Sequence, residues 1–271
     1  MISFLKGLDE DIRKSLIAQI RNLWTHSSTA IEGNTLTLGE TAFVIDEGLT
    51  VSGKPLKDHQ EVVGHARAIE LIYNMIEKNT PVSDKDLFDL HKSIQTSVIV
   101  DVYKPIGGWK KEPNGTYMID GDKQLFYEYA SPSDVPVLME KWLNLLNSKL
   151  QSHLSQKEAA HVYSDLHISF VHIHPFFDGN GRMARLIANL PVLKSGYPPI
   201  LIPKLLRREY IRSLSQYEIA SGTPSKNEAL LNMNKELDKF REFCVAAWKD
   251  AIDLVKQAHL QQEKRSVTKN V

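Results

Sequence analysis

Twelve residues, His174-Pro175-Phe176-Phe177-Asp178-Gly179-Asn180-Gly181-Arg182-Met183-Ala184-Arg185, join two apolar helical segments and constrain this chain more than any other part of it. Before them, Val162, Tyr163, Leu166, Phe170 and Ile173 recur at helical spacing, and Ser155 with Glu158 makes a capping box. The pattern predicts a buried helix over residues 159–173 that ends at His174. Pro175 disfavours a helical conformation for the residue before it, so the His174 ring turns to the loop. After the loop, Asn180 is a good N-cap, and Met183, Ile187 and Leu190 carry a second helix.

The loop chemistry points to phosphate. Gly179 and Gly181 let a polyphosphate approach the free N–H groups of the second helix, whose dipole favours negative charge. Arg182 and Arg185, three apart, share a helical face and can grip successive phosphates. Asp178 is placed to hold a Mg²⁺ that bridges phosphate oxygens. Each piece alone has a plainer explanation: a satisfied histidine, a turn at Asp-Gly-Asn-Gly, two solvated arginines. Their conjunction in one loop favours a nucleotide cradle with a histidine beside it.

The string resembles the signature of the Fic (Fido) family, His-Pro-Phe-x-(Asp/Glu)-Gly-Asn-Gly-Arg-x-x-Arg, at every fixed position. The resemblance implies an all-α, Fic-type helical bundle with a small β-hairpin flap beside the active site. It implies a Mg²⁺-dependent protein adenylyltransferase that moves AMP from ATP to a Ser, Thr or Tyr hydroxyl of a target protein. Carried over by position, His174 is the general base and Asp178 the metal ligand. Gly179, Asn180 and Gly181 line the anion hole, Arg182 holds the β-phosphate and Arg185 the γ-phosphate.

A second string, Ser28-Thr29-Ala30-Ile31-Glu32-Gly33, resembles the family's inhibitory-helix signature, (Ser/Thr)-x-x-x-Glu-(Gly/Asn). Leu8, Ile12, Leu16, Ile20 and Leu23 predict a helix ahead of it, and Gly33 a stop. A glutamate at a helix C-terminus is unfavourable with the dipole, and a buried arginine partner would explain it. By resemblance Glu32 pairs with Arg185, so that ATP binds unproductively and the enzyme is held off. In the same subgroup the glutamate of some members positions a water that removes AMP from a modified target.

The rest of the chain reads as helical. Thr37 and Glu40 make a capping box, a long pattern covers residues 57–78, and Ser83 with Asp86 opens another helix through Leu87, Leu90 and Ile94. Between residues 103 and 129 the helical period disappears. Gly107-Gly108-Trp109-Lys110, Pro113-Asn114-Gly115 and Asp120-Gly121-Asp122 carry turn chemistry there, which predicts a hairpin. The resemblance makes it a flap that holds a target peptide by strand pairing. Further helices are predicted over residues 135–150, with Val137, Leu138, Trp142, Leu145 and Leu146 on the apolar side, over 203–217, and over 227–261, followed by a frayed polar tail. By position in the family, Tyr210 is a candidate to pack on the adenosine, with core packing as its alternative. The expected division is residues 1–36 as an N-terminal helical region, 37–225 as the Fic core, and 226–271 as a C-terminal helix and tail.

Charge separates the remaining classes. The chain has 33 basic and 33 acidic side chains in 271 residues, which argues against a nucleic-acid footprint. Lys204-Leu205-Leu206-Arg207-Arg208 and Lys264-Arg265 read as solvated faces. One cysteine, Cys244, excludes an intrachain disulfide and suits a reducing compartment. No apolar run approaches a signal core or a membrane span, so a cytoplasmic protein without a membrane partner is expected. Too few residues follow the last helix for an added DNA-binding domain. A homo-oligomer stays open. A zinc hydrolase built on His161, His167, His172 and His174 is disfavoured, because none lies four residues from another and i, i+2 points to different helix faces. Two alternatives stand beside AMP transfer: transfer of another nucleotide or phosphate group, and a non-catalytic nucleotide-binding adaptor, against which the intact His174 counts.

Overall fold

The computed structural model describes residues 3–78, 80–96, 101–120 and 123–269. Helix α1 (Glu10–Ile31) buries Ile12, Leu16, Ile20, Trp24 and Ile31 at four- and seven-residue intervals and packs on α2 (Leu38–Glu47) and α3 (Leu56–Glu77). The capping boxes form as expected. Thr37 accepts from the Glu40 amide, while the Asp86 carboxylate accepts from the Ser83 amide and opens α4 (Asp84–Ile94).

The hairpin follows, with β1 (Gly115–Asp120) antiparallel to β2 (Lys123–Glu128), in a register that sets Gly115 opposite Glu128 and Asp120 opposite Lys123. The expected turn at Gly121-Asp122 lies outside the described residues. Met118, Tyr127 and Tyr129 form a small cluster against Ile219, which docks the hairpin on a later helix. Next comes α5 (Val135–Leu150), whose Leu138, Trp142 and Leu146 are buried; Val137, expected on that face, is exposed. The indole N–H of Trp142 donates to the Leu166 carbonyl.

Helix α6 (Gln156–Ile173) is buried at every position from Leu166 to Ile173, too continuous for an amphipathic surface helix. It is the central helix. Packed on it are α5, α7 (Asn180–Ile187), α8 (Leu190–Lys194), α9 (Arg207–Ser221) and α10 (Lys235–Ala247). One hydrophobic cluster runs from Phe4 to Ala258 through all these elements.

Several expectations change. The second loop helix does not run on to Leu190 but breaks between α7 and α8. Pro191 has no N–H for a continuing helix and would crowd the carbonyl four residues earlier. Asn189 spans the break, donating to the Arg185 and Ile200 carbonyls and accepting from the Ile200 amide. The final stretch likewise is two helices, α10 and α11 (Lys249–Lys269), with residues 222–234 as a connection. Asn234 caps α10 by accepting from the Glu236 and Leu237 amides, and the Trp248 indole donates to the Pro198 carbonyl between the two helices. Helix continues to Lys269 instead of fraying after Gln261.

Two basic pieces are also more than solvated faces. Arg207 donates to the Ile31 carbonyl at 2.6 Å, and Arg265 bonds the Asp9 and Asp11 carboxylates, so both ends of α1 are held by later parts of the chain.

Candidate active site

His174 closes α6 with φ 54° and ψ 58°, the one non-glycine residue in the left-handed region among those described. Pro175 disfavours the right-handed helical region for the residue before it, and His174 leaves that region as the helix ends. Histidine tolerates the left-handed well better than bulky or branched residues do, and here surrounding bonds enforce it. The Pro175 carbonyl accepts from the Lys110 amide at 2.9 Å. The Phe176 carbonyl accepts from the side chains of Asn114 and Asn180, and the Phe176 amide donates back to Asn180. Phe176 itself is fully buried, stacked on His91 at 3.9 Å and packed on Trp109. His91 accepts from the Gly107 amide through Nδ1, which leaves Nε2–H to donate to the Asp178 carbonyl at 3.0 Å. The loop is bolted to α4 and to the segment before the hairpin.

These bonds orient the His174 ring. It is half-buried and stacked on Tyr129 at 3.7 Å between centroids, and Nδ1 lies 3.1 Å from the Val171 carbonyl. A carbonyl can only accept, so Nδ1 carries the proton and Nε2 keeps its lone pair. Burial, with the Lys110 charge nearby, pulls the imidazole down to about 4, partly offset by the Val171 carbonyl and by Asp178 and Glu32. At neutral pH this is a free base.

The anion end differs in detail from expectation. Gly179, with φ 82°, is the cap residue, and Asn180 is the first helical residue; its side chain is spent on Phe176. Arg182 is buried, donating to the Ile94 carbonyl and to Asp178. Arg185 is 3% exposed and fully engaged: Nε with the Ser28 hydroxyl, Nη2 with the Ser28 carbonyl and with Glu32 Oε1 at 2.5 Å, and Nη1 with the Tyr210 hydroxyl. Burial raises the Glu32 carboxyl, but the Arg185 charge and hydrogen bond, with the Arg182 charge, outweigh it and hold it below its ordinary value. A Cβ at Gly181 would stand 2.9 Å from Glu32 Oε1 and 3.1 Å from Arg185 Nη1, so only glycine leaves room for the pair.

These residues line a cavity of about 340 Å³ together with Tyr129, Thr116 and Tyr117 of the hairpin segment and one face of α9. That face, Tyr210, Leu214 and Glu218 at four-residue steps, forms one wall of the cavity. Tyr210 is 1% exposed, its hydroxyl between Arg185 and His167 Nε2, so it props the arginine as well as lining the cavity.

Asp178 is an exposed carboxylate at the same cavity. Among the described residues no three His, Cys, Asp or Glu side chains gather to cage a metal. One carboxylate beside a phosphate cradle nevertheless fits Mg²⁺, which takes one or two protein carboxylates plus substrate phosphates and water. The other histidines of α6 face different tasks: His167 bonds Tyr210, and His172 bonds Tyr127.

Lys110, Tyr129 and Glu218 belong to the site and were not singled out from sequence. Glu218 left a signal, since a carboxylate in phase with Tyr210 and Leu214 interrupts an apolar stripe. Lys110 and Tyr129 left none, because irregular segments carry no periodicity.

Residues 81–192 match the family model described as Fic/DOC family. Protein adenylyltransferase Fic of Drosophila willistoni is 34% identical over 189 residues, 70% of this chain and 35% of the relative, so the chain spans about a third of that relative's length. Among solved structures, a Fic domain containing signaling protein from Bacteroides thetaiotaomicron superposes with TM-score 0.77 at 26% identity, over 93% of each chain. Fic-1 of C. elegans shares the fold, with TM-score 0.70 at 23% identity over 96% of this chain and 69% of that one. Signature loop, hairpin and helical frame thus agree with the sequence match, and the chain belongs to the Fic/DOC family.

Proposed function

We propose that this protein is an autoinhibited protein adenylyltransferase that moves AMP from ATP to a hydroxyl side chain of a target protein, with Glu32 as its brake. The observation that carries the proposal is the Glu32–Arg185 pair over Gly181, beside a neutral His174. An arginine on α7, on the same face as Arg182 and one turn in from the helix N-terminus, is a phosphate ligand in waiting, and here a carboxylate occupies it.

In the transfer, the target hydroxyl attacks the α-phosphorus, its proton passes to His174 Nε2, and the bond to pyrophosphate breaks. Arg182, Arg185 and the α7 N–H groups at Gly179 to Gly181 hold the phosphate chain in line. Mg²⁺ held by Asp178, when bound, would neutralise charge on the phosphates. The exposed strand residues Tyr117, Leu125 and Phe126 offer the target a hairpin edge and an apolar face. No helix among the described residues is long and apolar enough to cross a membrane, and Cys244 is buried and unpaired, in keeping with a reducing, cytoplasmic setting.

The test is intact mass measurement of the Glu32→Gly protein after incubation with Mg²⁺ and ATP, repeated with UTP, GTP and CTP. A gain of one or more AMP groups with ATP is expected. A gain only with another nucleotide reassigns the donor, and no gain with any sinks the transferase in favour of a nucleotide-binding adaptor. A second reading has one observation in its favour: the Glu32 side chain is 40% exposed at the cavity and held ionised, as a residue that orients water should be. If AMP removal is the working direction, Glu32→Gly abolishes release from a modified target while sparing forward transfer.

A further inference from the structure

A groove of about 1040 Å³ opens between β1 and α9, and the proposed chemistry gives it no task. It is continuous with the cavity beside His174, since Tyr117, Ile211 and Ser215 line both. Its volume is above the roughly 300–1,000 Å³ of most small-molecule sites, so a length of chain suits it better than a metabolite. Tyr117 and Met118 both line it. Consecutive strand residues point to opposite faces, so the groove runs along the edge of β1 that β2 leaves free. A segment whose hydroxyl reaches His174 can leave along that edge, pairing with the strand as it goes.

The α9 wall gives the groove its chemistry. Leu205, 95% exposed, and Ile211 stand across from the exposed Tyr117 ring, an apolar rim left in water. Between Leu205 and Ser215, Arg208 and Arg212 lie exposed one turn apart, and among the described residues neither guanidinium has an ion pair or hydrogen bond. Their neighbour Arg207, by contrast, is spent on the Ile31 carbonyl. Glu209 is the one carboxylate among the described lining residues, so positive charge is in excess. Four residues of helix span about 6 Å of axis, and side chains two apart on an extended chain stand about 7 Å apart on one face. Carboxylates at alternate positions of an extended segment therefore match the two arginines.

We propose that Arg208 and Arg212 make this groove selective for an acidic target: a segment leaving the modified hydroxyl along β1 sets two carboxylates, at alternate positions, on the two guanidinium groups. The proposal rests on the transfer reading above and names the kind of target sequence it takes. Arg212 lies three residues and Arg208 seven residues from Ser215, where groove and cavity meet, about 5 and 11 Å along the axis. At about 3.3 Å per extended residue, the far carboxylate stands about three residues beyond that point. A nucleic acid would find no wider basic field, since basic and acidic side chains balance at 33 each in the chain.

The experiment measures equilibrium binding of three fluorescent peptides to the full chain carrying Glu32→Gly. Each has one central Thr in an Ala and Gly background, with Glu, Gln or Lys at the second and fourth positions on both sides. Expected is an affinity for the Glu peptide about fivefold or more above that for the Gln peptide, with the Lys peptide weakest. The gap should narrow as salt rises from about 0.05 to about 0.5 M. With Arg208→Gln and Arg212→Gln together, the Glu and Gln peptides bind alike; with Arg208→Glu and Arg212→Glu, the Lys peptide binds best. Neither arginine lines the cavity beside His174, so ATP affinity stays near its starting value in both variants and reports an intact fold. Equal binding of the three peptides, undetectable binding included, overturns the assignment. So does a preference that survives the loss of both arginines, or a homodimer that the charge reversal dissociates, which would make a second copy the occupant. AMP gain from ATP without a charge preference removes the groove assignment alone, whereas a charge preference without AMP gain removes the transferase and keeps the groove.

Discussion

Glu32 Oε1 lies 2.5 Å from Arg185 Nη2, across 153 residues of sequence, and the contact sets the carboxylate beside Gly181 in the first turn of α7. The remaining nitrogens of Arg185 are bound by Ser28 and Tyr210, so the arginine is held in place whether or not Glu32 stays. Removing the carboxylate should free a preformed phosphate ligand. For a coupling of 1 to 3 kcal/mol, Glu32→Gly raises self-labelling from α-labelled ATP by roughly 5- to 150-fold. No rise would mean that the pair is a structural ion pair and not a brake.

His174→Ala, made in the Glu32→Gly background, should lower the transfer rate by about a hundredfold or more while leaving ATP affinity near its starting value. The same base sets a pH signature. Because the imidazole is pulled down to about 4, the acid limb of the rate profile attributable to it lies near 4 instead of near the ordinary histidine value. A limb near 6.5, abolished along with the rate by the substitution, would show His174 to be far more solvated than its stack on Tyr129 allows.

Arg207 holds the helix end that carries the proposed brake. Its Nε donates to the Ile31 carbonyl, one residue before Glu32, at a helix end where carbonyls lack partners. Ile12, Leu16, Ile20 and Trp24 anchor the rest of α1, each contributing about 1.5–3 kcal/mol, so release of Glu32 is expected to loosen this last turn and leave the helix docked. Arg207→Ala should accordingly raise self-labelling by about three- to tenfold, the effect of one lost hydrogen bond, with thermal stability nearly unchanged. Unaltered labelling would place the control of Glu32 elsewhere.

Acid should destabilise the fold well before the carboxylates titrate. His91, His172 and His174 are pulled down to about 4 and His65 to about 3, each mainly by burial. In the unfolded chain these imidazoles protonate near 6.5, so between about pH 6.5 and 4 the unfolded state binds more protons and stability falls with pH. Each such group contributes up to about 1.4 kcal/mol per pH unit in that window. Melting temperatures measured from pH 7.5 down to about 5 should drop steeply, and His172→Gln should flatten the curve; a flat parent curve would show these rings to be solvated.

Local features were legible in the order of side chains. Capping boxes at Thr37, Ser83 and Ser155 act over three residues, and apolar spacing reports a helix wherever one face is buried, so the major helices and the loop at residues 174–185 were legible from side-chain order alone. Resemblance to a family paired Glu32 with Arg185, since no local rule could do so. Tertiary structure alone decided the rest. Pro191 interrupts the helix locally, but how Asn189 bridges that break and where Trp248 ends α10 depend on partners at Ile200 and Pro198, and Asn180 turns back to Phe176 in place of capping α7. Tyr129 and Glu218 come to the cavity from a strand end and a helix face, with Lys110 behind them from a loop, and burial then changes their chemistry. Periodicity describes which side of an element is hidden; what that side meets, and whether a buried charge finds a partner there, is set only when distant segments pack.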